Sequence, residues 1–260
     1  MTIPGIPGCP GRRKVKTGFV SALLALAILW VIGCGKPPAE LPKFAYPDYR
    51  ADLSFKESFS NGLGGWIVEG DADTLAADGT LSVSSRAAGS GCFLWTKREF
   101  DGDFQLEFTA DFKDTAGTFG VLLCARPTGT KRWKDLPPRS GRYEEYASGQ
   151  ILNYWIGFHQ AAQNGIPLNR AVLRKNPGAW LLAQTEPDPC AENRSYLIDV
   201  IRLSNRILFY TDGRMALDVR DKGGFSPILA GGRIGFWILG IKNPFRVELR
   251  NFQVFKLAPS

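Results

Sequence analysis

From residue 53 onward, apolar and polar positions alternate with a period of two more persistently than they follow any helical spacing. The clearest case is 104–112, where Phe104, Leu106, Phe108, Ala110 and Phe112 alternate with Gln105, Glu107, Thr109 and Asp111. Successive strand residues point to opposite faces, so this pattern predicts a half-buried strand. Further strands are expected at 55–59, 66–68, 81–83, 119–126, 150–159, 169–175, 196–203, 206–211, 215–219, 232–239 and 245–257, with hairpin turns at Asp78-Gly79 and Asp212-Gly213. A loop rich in charge and proline, 127–148, separates two of them. In the strand at 150–159, Leu152, Tyr154, Ile156 and Phe158 share one face, and Asn153, Trp155, Gly157 and His159 the other. The strand at 232–239 repeats the arrangement, with Ile234, Phe236 and Ile238 inward and Arg233, Gly235 and Trp237 outward. Many short strands bounded by turns predict an all-β fold, an antiparallel β-sandwich.

The first 52 residues follow a different pattern. Arg12, Arg13, Lys14 and Lys16 precede an apolar run over 18–32, about 15 residues and short of the roughly 20 that span a bilayer. The run ends in Val31-Ile32-Gly33-Cys34, which resembles the bacterial lipobox. The resemblance implies a lipoprotein signal peptide over 1–33, cleavage before Cys34 and lipidation of its thiol. A retained signal anchor, or a plain signal peptide beside a chance cysteine, are the alternatives. Gly35 rather than an acidic residue after the cysteine implies the outer membrane in a two-membrane bacterium. Residues 34–52 are proline-rich without periodicity and are expected to tether a domain spanning 53–260.

Composition changes this picture in two places. The formal net charge of +7 overstates the domain's basicity, because removing the four N-terminal residues from 32 basic ones leaves 28 against 25 acidic, or +3. No nucleic-acid-binding motif accompanies that charge, so nucleic acid is not an expected partner. Cys92, Cys124 and Cys190 allow at most one internal disulfide, which the sequence does not choose. With one histidine and no zinc spacing, no metal site or cofactor is expected. Asp71, Asp73 and Asp78 leave a weak calcium alternative to their reading as turn residues.

Three segments, FKESFSNGLGGWIVEGDADTLAADGTLSV, YLIDVIRLSNRILFYTDGRMALD and GGRIGFWILGIKNPFRVELRNFQVFKL, resemble the concanavalin A-like lectin/glucanase (laminin G-like) superfamily. The resemblance covers most of 55–257 and implies a jelly-roll sandwich that handles complex carbohydrate. More narrowly, the stretch with LRKNPG resembles the YesU-like bacterial family, often encoded beside polysaccharide-degrading enzymes. That family carries a Tyr-His-x-Ser-Tyr-like strand. Here Tyr154-Trp155-Ile156-Gly157-Phe158 puts Trp155 and Gly157 in place of the histidine and serine, which shifts the expectation from catalysis toward binding.

The expected carbohydrate-binding residues are Asn153, Trp155, Arg170, Arg174 and Trp237. Indole faces match the C–H faces of sugars, and guanidinium groups bind carboxylates or sulfates of acidic polysaccharides. The competing reading covers both tryptophans with loops as a second small core, and pairs the arginines with Glu144, Glu145 or the acids of 186–192. Two catalytic alternatives remain. His159 would serve a lyase as general base, and Glu107 a glycosidase, although Glu107 and Asp111 on one strand face lie about 13 Å apart, beyond glycosidase spacing. A structural envelope protein without ligand is the third class.

Overall fold

A computed structural model describes residues 42–43, 45–114 and 117–260. The expected signal peptide, Cys34 and the first part of the expected tether lie outside the described residues, and among the described ones no helix is long and apolar enough to cross a membrane.

Among the described residues, fifteen strands form two antiparallel sheets. The first contains β1 (Tyr49–Glu57), β3 (Ala72–Ala77), β4 (Thr80–Ser85), β6 (Phe104–Phe112), β11 (Ser195–Leu203), β12 (Arg206–Thr211), β13 (Arg214–Arg220) and β15 (Arg246–Pro259), in the order β13-β12-β11-β6-β15-β4-β3. The long strand β15 offers one edge to two partners, β4 along its first half and β1 along its second. The second sheet contains β2 (Trp66–Gly70), β5 (Gly91–Asp101), β7 (Gly117–Pro127), β8 (Ile151–Phe158), β9 (Ala171–Asn176), β10 (Trp180–Thr185) and β14 (Gly231–Gly240), in the order β10-β9-β8-β7-β14-β5-β2.

The period-two pattern decides which residues lie between the sheets. Leu106, Phe108 and Ala110 of β6, Ile156 and Phe158 of β8, and Ile234, Phe236 and Ile238 of β14 have no exposed surface and belong to one core cluster. Burying a large apolar side chain contributes about 1.5–3 kcal/mol, so this core dominates the stability of the sandwich. Strand β5 escaped the alternation reading because residues 92–96 are buried on both faces. Cys92 and Leu94 point into the main core, while Phe93 and Trp95 join a second cluster on the other side. A strand buried on both sides needs no polar alternation. Strand β1 begins at Tyr49, so part of the expected tether pairs with β15 from Tyr49↔Pro259 onward.

Neither outer face is bare. Outside the second sheet lies the cluster of Phe93, Trp95, Leu122, Tyr146, Trp155, Val172 and Trp237, covered by residues 128–150. Outside the first sheet, Tyr46, Tyr49 and Ala51 pack on Ile201, Leu203, Leu208 and Leu257. Cys92, Cys124 and Cys190 are all free and buried.

Candidate functional site

The outer face of the second sheet is built around glycines. Gly120 of β7 and Gly157 of β8 are register partners, and a Cβ on either would run into the indole of Trp155. Gly235 of β14 does the same for Trp95, its partner on β5. The missing side chains let both indoles lie against the strands rather than stand up from them. Phe93 stacks between Trp95 and Trp237 at centroid distances of 5.7 and 5.8 Å, and Trp155 meets Trp237 at 5.8 Å. The result is a continuous aromatic floor across β5, β14 and β8.

The chain between β7 and β8 crosses this floor and is fastened to it. Gly141, in the left-handed region at φ 87°, approaches so closely that an added Cβ would lie 2.8 Å from the Cα of Gly70. Beyond it, helix α1 (Glu144–Ala147) lays Tyr146 on Phe93 at 3.4 Å between centroids. Glu69 gathers the fastening. Its carboxylate accepts hydrogen bonds from Trp95 Nε1 at 3.0 Å, Tyr146 OH at 3.0 Å and Arg139 Nε at 2.9 Å, and Arg139 Nη2 makes a further ion pair. The Arg139 and Glu69 side chains are 10% and 15% exposed, so this network is screened from solvent. The Tyr146 hydroxyl is pushed up, first by burial and then by the neighbouring Glu69 charge.

Between Arg139 and Tyr146, the Tyr143 side chain is held by stacking. Tyr143 sits over Trp155 at 5.0 Å and over Trp237 at 4.8 Å. Its hydroxyl lies near Arg174 and Asn176 without a hydrogen bond of good geometry, and burial raises it to about 12. Trp155 Nε1 and Trp237 Nε1 are also buried without partners. Three unsatisfied polar groups within one aromatic cluster are unusual, since an unpaired buried donor costs about 1–3 kcal/mol. Beside them opens a cleft of about 360 Å³ lined by Asp71, Ser140, Arg142, Tyr143, Glu144, Gln163, Trp237 and Ile241.

The structure separates the residues that the sequence grouped. Trp155 and Trp237 do share the outer face and touch, but each is only 5% exposed, so the competing reading of a covered aromatic cluster describes this structure. Asn153 is fully buried, and its amide oxygen accepts from Asn176 Nδ2 at 2.9 Å. Arg174 lies opposite Trp155 on β9 and donates to the Ala179 carbonyl at 2.7 Å, while half-buried Arg170 precedes β9 and leaves Nε unpartnered. Neither arginine makes an ion pair with Glu144, Glu145 or the acids of 186–192 among the described contacts.

His159 corrects the strand-parity expectation. Strand β8 ends at Phe158, and His159 turns into the left-handed region at φ 49°. Its ring therefore leaves the Trp155 face and stacks on Phe112 at 4.0 Å. Nδ1 lies 2.6 Å from the Cys190 carbonyl and Nε2 2.7 Å from the Asp114 carbonyl. With both nitrogens engaged and the residue 4% exposed, neither is placed to take a proton from a substrate. Glu107 is on the opposite sheet from the aromatic floor, 1% exposed, and faces Asp199 across β6 and β11. Asp71 and Asp73 converge on Arg86 at 3.0 and 2.9 Å, Asp78 occupies a turn at φ 50°, and no metal-holding group of three or more His, Cys, Asp or Glu occurs among the described residues.

Sequence reasoning missed Glu69, Phe93, Trp95, Tyr143 and Tyr146. The spacing of Phe93 and Trp95 was a visible signal. The approach of Glu69 and Tyr146, 77 residues apart, was not.

Two antiparallel sheets, a buried core and an aromatic outer face define a β-sandwich of the concanavalin A-like, jelly-roll kind. The chain belongs to the family described as "Domain of unknown function (DUF1961)", whose model matches residues 49–254. No curated protein matches it. Among solved structures, it resembles a Bacillus subtilis protein of unknown function with a galectin-like fold, at 20% identity and a TM-score of 0.72, covering 82% of this chain and 100% of that one. It also resembles an endo-β-1,3-glucanase from Pyrococcus furiosus, at 11% identity and TM-score 0.57 over 83% and 100% of the two chains. A κ-carrageenase from Pseudoalteromonas carrageenovora, in complex with an oligotetrasaccharide, matches at 8% identity and TM-score 0.57 over 84% and 99%.

Proposed function

We propose that this protein binds complex carbohydrate at the outer face of the second sheet, in the cleft beside Trp237, with Tyr143 as a gate. The observation that carries the reading is the group Tyr143, Trp155 and Trp237, in which aromatic faces are joined by three buried polar groups that lack partners. A sugar supplies what this group lacks: apolar C–H faces for the rings and hydroxyls for the N–H groups. The cleft of about 360 Å³ falls within the usual range for small-ligand sites. The contrast in fastening selects the moving part. Tyr146 and Arg139 are tied to half-buried Glu69, whereas the Tyr143 side chain has stacking alone. Rotation of Tyr143 would extend the Trp237 wall to Trp155 while the Glu69 network stays closed.

The fold likeness to a glucanase and to a carrageenase with bound oligosaccharide supports carbohydrate as the ligand class. The YesU-like resemblance supports a polysaccharide in particular. Binding is favoured over catalysis because His159 is committed to two carbonyls and Glu107 lies on the other sheet. In this reading the domain is exported and held by acyl chains on Cys34, in the outer membrane, with the chain before β1 as its tether; the lipobox-like Val31-Ile32-Gly33-Cys34 supports it.

The test is a glycan array of neutral and acidic polysaccharides, followed by calorimetry. Trp237→Ala is expected to weaken binding by about 2 kcal/mol, roughly 30-fold, as for a central aromatic anchor. Tyr143→Ala is expected to retain or strengthen it by removing the gate. Unchanged affinity in Trp237→Ala sinks the site. Release of reducing ends or of an unsaturated product would replace binding with catalysis.

A further inference from the structure

The outer face of the first sheet carries a row of polar side chains that the carbohydrate reading does not use. Register aligns Lys56 of β1, Gln253 of β15, Glu107 of β6, Asp199 of β11 and Tyr210 of β12 side by side across five strands. Such polar positions on an outer sheet face are ordinarily hydrated. Here Glu107 is 1% exposed and Asp199 is not exposed at all. Asp199 Oδ1 accepts from Gln105 Nε2 at 2.7 Å, and Oδ2 is buried with no partner. The chain leading into β1 lies against this row: the backbone N–H of Lys43 donates to Glu107 Oε2 at 2.6 Å, and Tyr46 OH accepts from Arg206 Nη1 at 3.0 Å.

We propose that the facing carboxyl groups of Glu107 and Asp199 form a proton-dependent latch for the chain before β1, seating it while Asp199 is protonated and releasing it when Asp199 ionises. Directly opposite residues of an antiparallel pair have Cβ atoms about 4.5–5.5 Å apart, so two ionised carboxylates repel at this buried position. The groups facing Asp199 are Gln105 and Glu107 on β6, Tyr210 on β12 and Lys43 on the incoming chain, with Gln253 and Lys56 beyond Glu107. Among the described residues near it, Lys43 favours the ionised form by its charge. Burial, the largest influence, and the Glu107 charge raise the Asp199 carboxyl to about 7 against the Gln105 hydrogen bond and Lys43. The sign follows: a raised carboxyl favours the seated form below the ordinary value of 3.8, and that preference is lost as pH rises through about 7. Lifting the chain hydrates both carboxylates and frees Lys43.

The test is tryptic cleavage after Lys43 in the full chain at pH 5.5, 7 and 8.5, normalised to a free peptide of the same sequence, together with amide-exchange protection over 42–53. Protection is expected to fall about tenfold or more across that range. Asp199→Asn, which cannot ionise, is expected to stay protected at every pH, and Glu107→Gln, which removes a charge that raises Asp199, to make the loss of protection smaller and move it to lower pH. Equal protection at pH 5.5 and 8.5, or an unchanged pH dependence in Asp199→Asn, overturns the latch. If Asp199→Asn does not fold, carboxyl-carbon NMR of the unaltered protein decides: a midpoint for Asp199 near its ordinary value overturns the proposal, and one near 7 that coincides with the loss of protection supports it.

Discussion

Trp155 rests on Gly157, two residues further along the same strand, and on Gly120 across the register. Gly157 is not in the left-handed region, so its backbone needs no glycine. Alanine there should restrict the unfolded chain and, if nothing else intervened, stabilise the protein. The indole reverses that sign. Gly157→Ala is expected to destabilise by about 1–3 kcal/mol through overpacking. In a Trp155→Ala background the same change should be neutral or stabilising. Denaturant midpoints of the four proteins in this cycle check it, and additive effects would mean that the ring does not lie on the glycine.

Glu69 holds the crossing chain while the sandwich core lies elsewhere. Glu69→Ala leaves Arg139, Trp95 Nε1 and Tyr146 OH without their shared acceptor. The expected loss is about 3 kcal/mol, as when one partner of a buried pair is removed. It should be local: trypsin should cut at Lys131, Arg132 or Lys134 while far-ultraviolet dichroism still reports the β-sandwich. Resistance equal to that of the unaltered protein would place the fastening elsewhere.

Acid should weaken a different corner. Buried Lys175 donates to Asp221 Oδ2 at 2.5 Å, and Tyr154 OH donates to the same oxygen at 2.6 Å. Burial by itself would raise the Asp221 carboxyl, but the Lys175 and Tyr154 hydrogen bonds, with the Gly223 N–H, bring it below 3.8. A lowered carboxyl contributes stability above its ordinary value and loses that contribution as pH falls below 3.8. Lys175→Met should cost about 3–5 kcal/mol at neutral pH by leaving Asp221 uncompensated, and should flatten this acid limb. Urea midpoints between pH 2.5 and 7 measure both effects.

The three core thiols should be inert in the folded protein. Burial pushes Cys92 and Cys124 up to about 12 and raises Cys190 as well, so the reactive thiolate is scarce at pH 8. Peptide mapping after alkylation at pH 8 should find these three unmodified in the native state and fully modified in denaturant. Labelling of any one without denaturant would reveal local opening around it.

Much of the architecture is already written in period-two spacing. Strand β6 turned its five alternate apolar residues to the core, and β8 and β14 sorted their inward and outward residues as their parity required. Local chemistry decides these outcomes, because each strand residue's direction follows from its neighbour's. The same logic misled at His159, where one left-handed residue after the end of β8 ended the parity and turned the ring toward Phe112.

What the sequence by itself determined was therefore the all-β class, the two faces of its clearest strands and the presence of aromatic residues opposite the core. Tertiary structure decided whether those residues were open. Trp155 and Trp237 are covered because residues 128–150 return across them, and that return depends on Glu69 meeting Arg139 and Tyr146 from 70 and 77 residues away. The pairing of Glu107 with Asp199, 92 positions further along the chain, likewise exists only because β6 and β11 are neighbours. A strand's pattern encodes its own two faces; it contains no term for the distant segment that comes to lie on them.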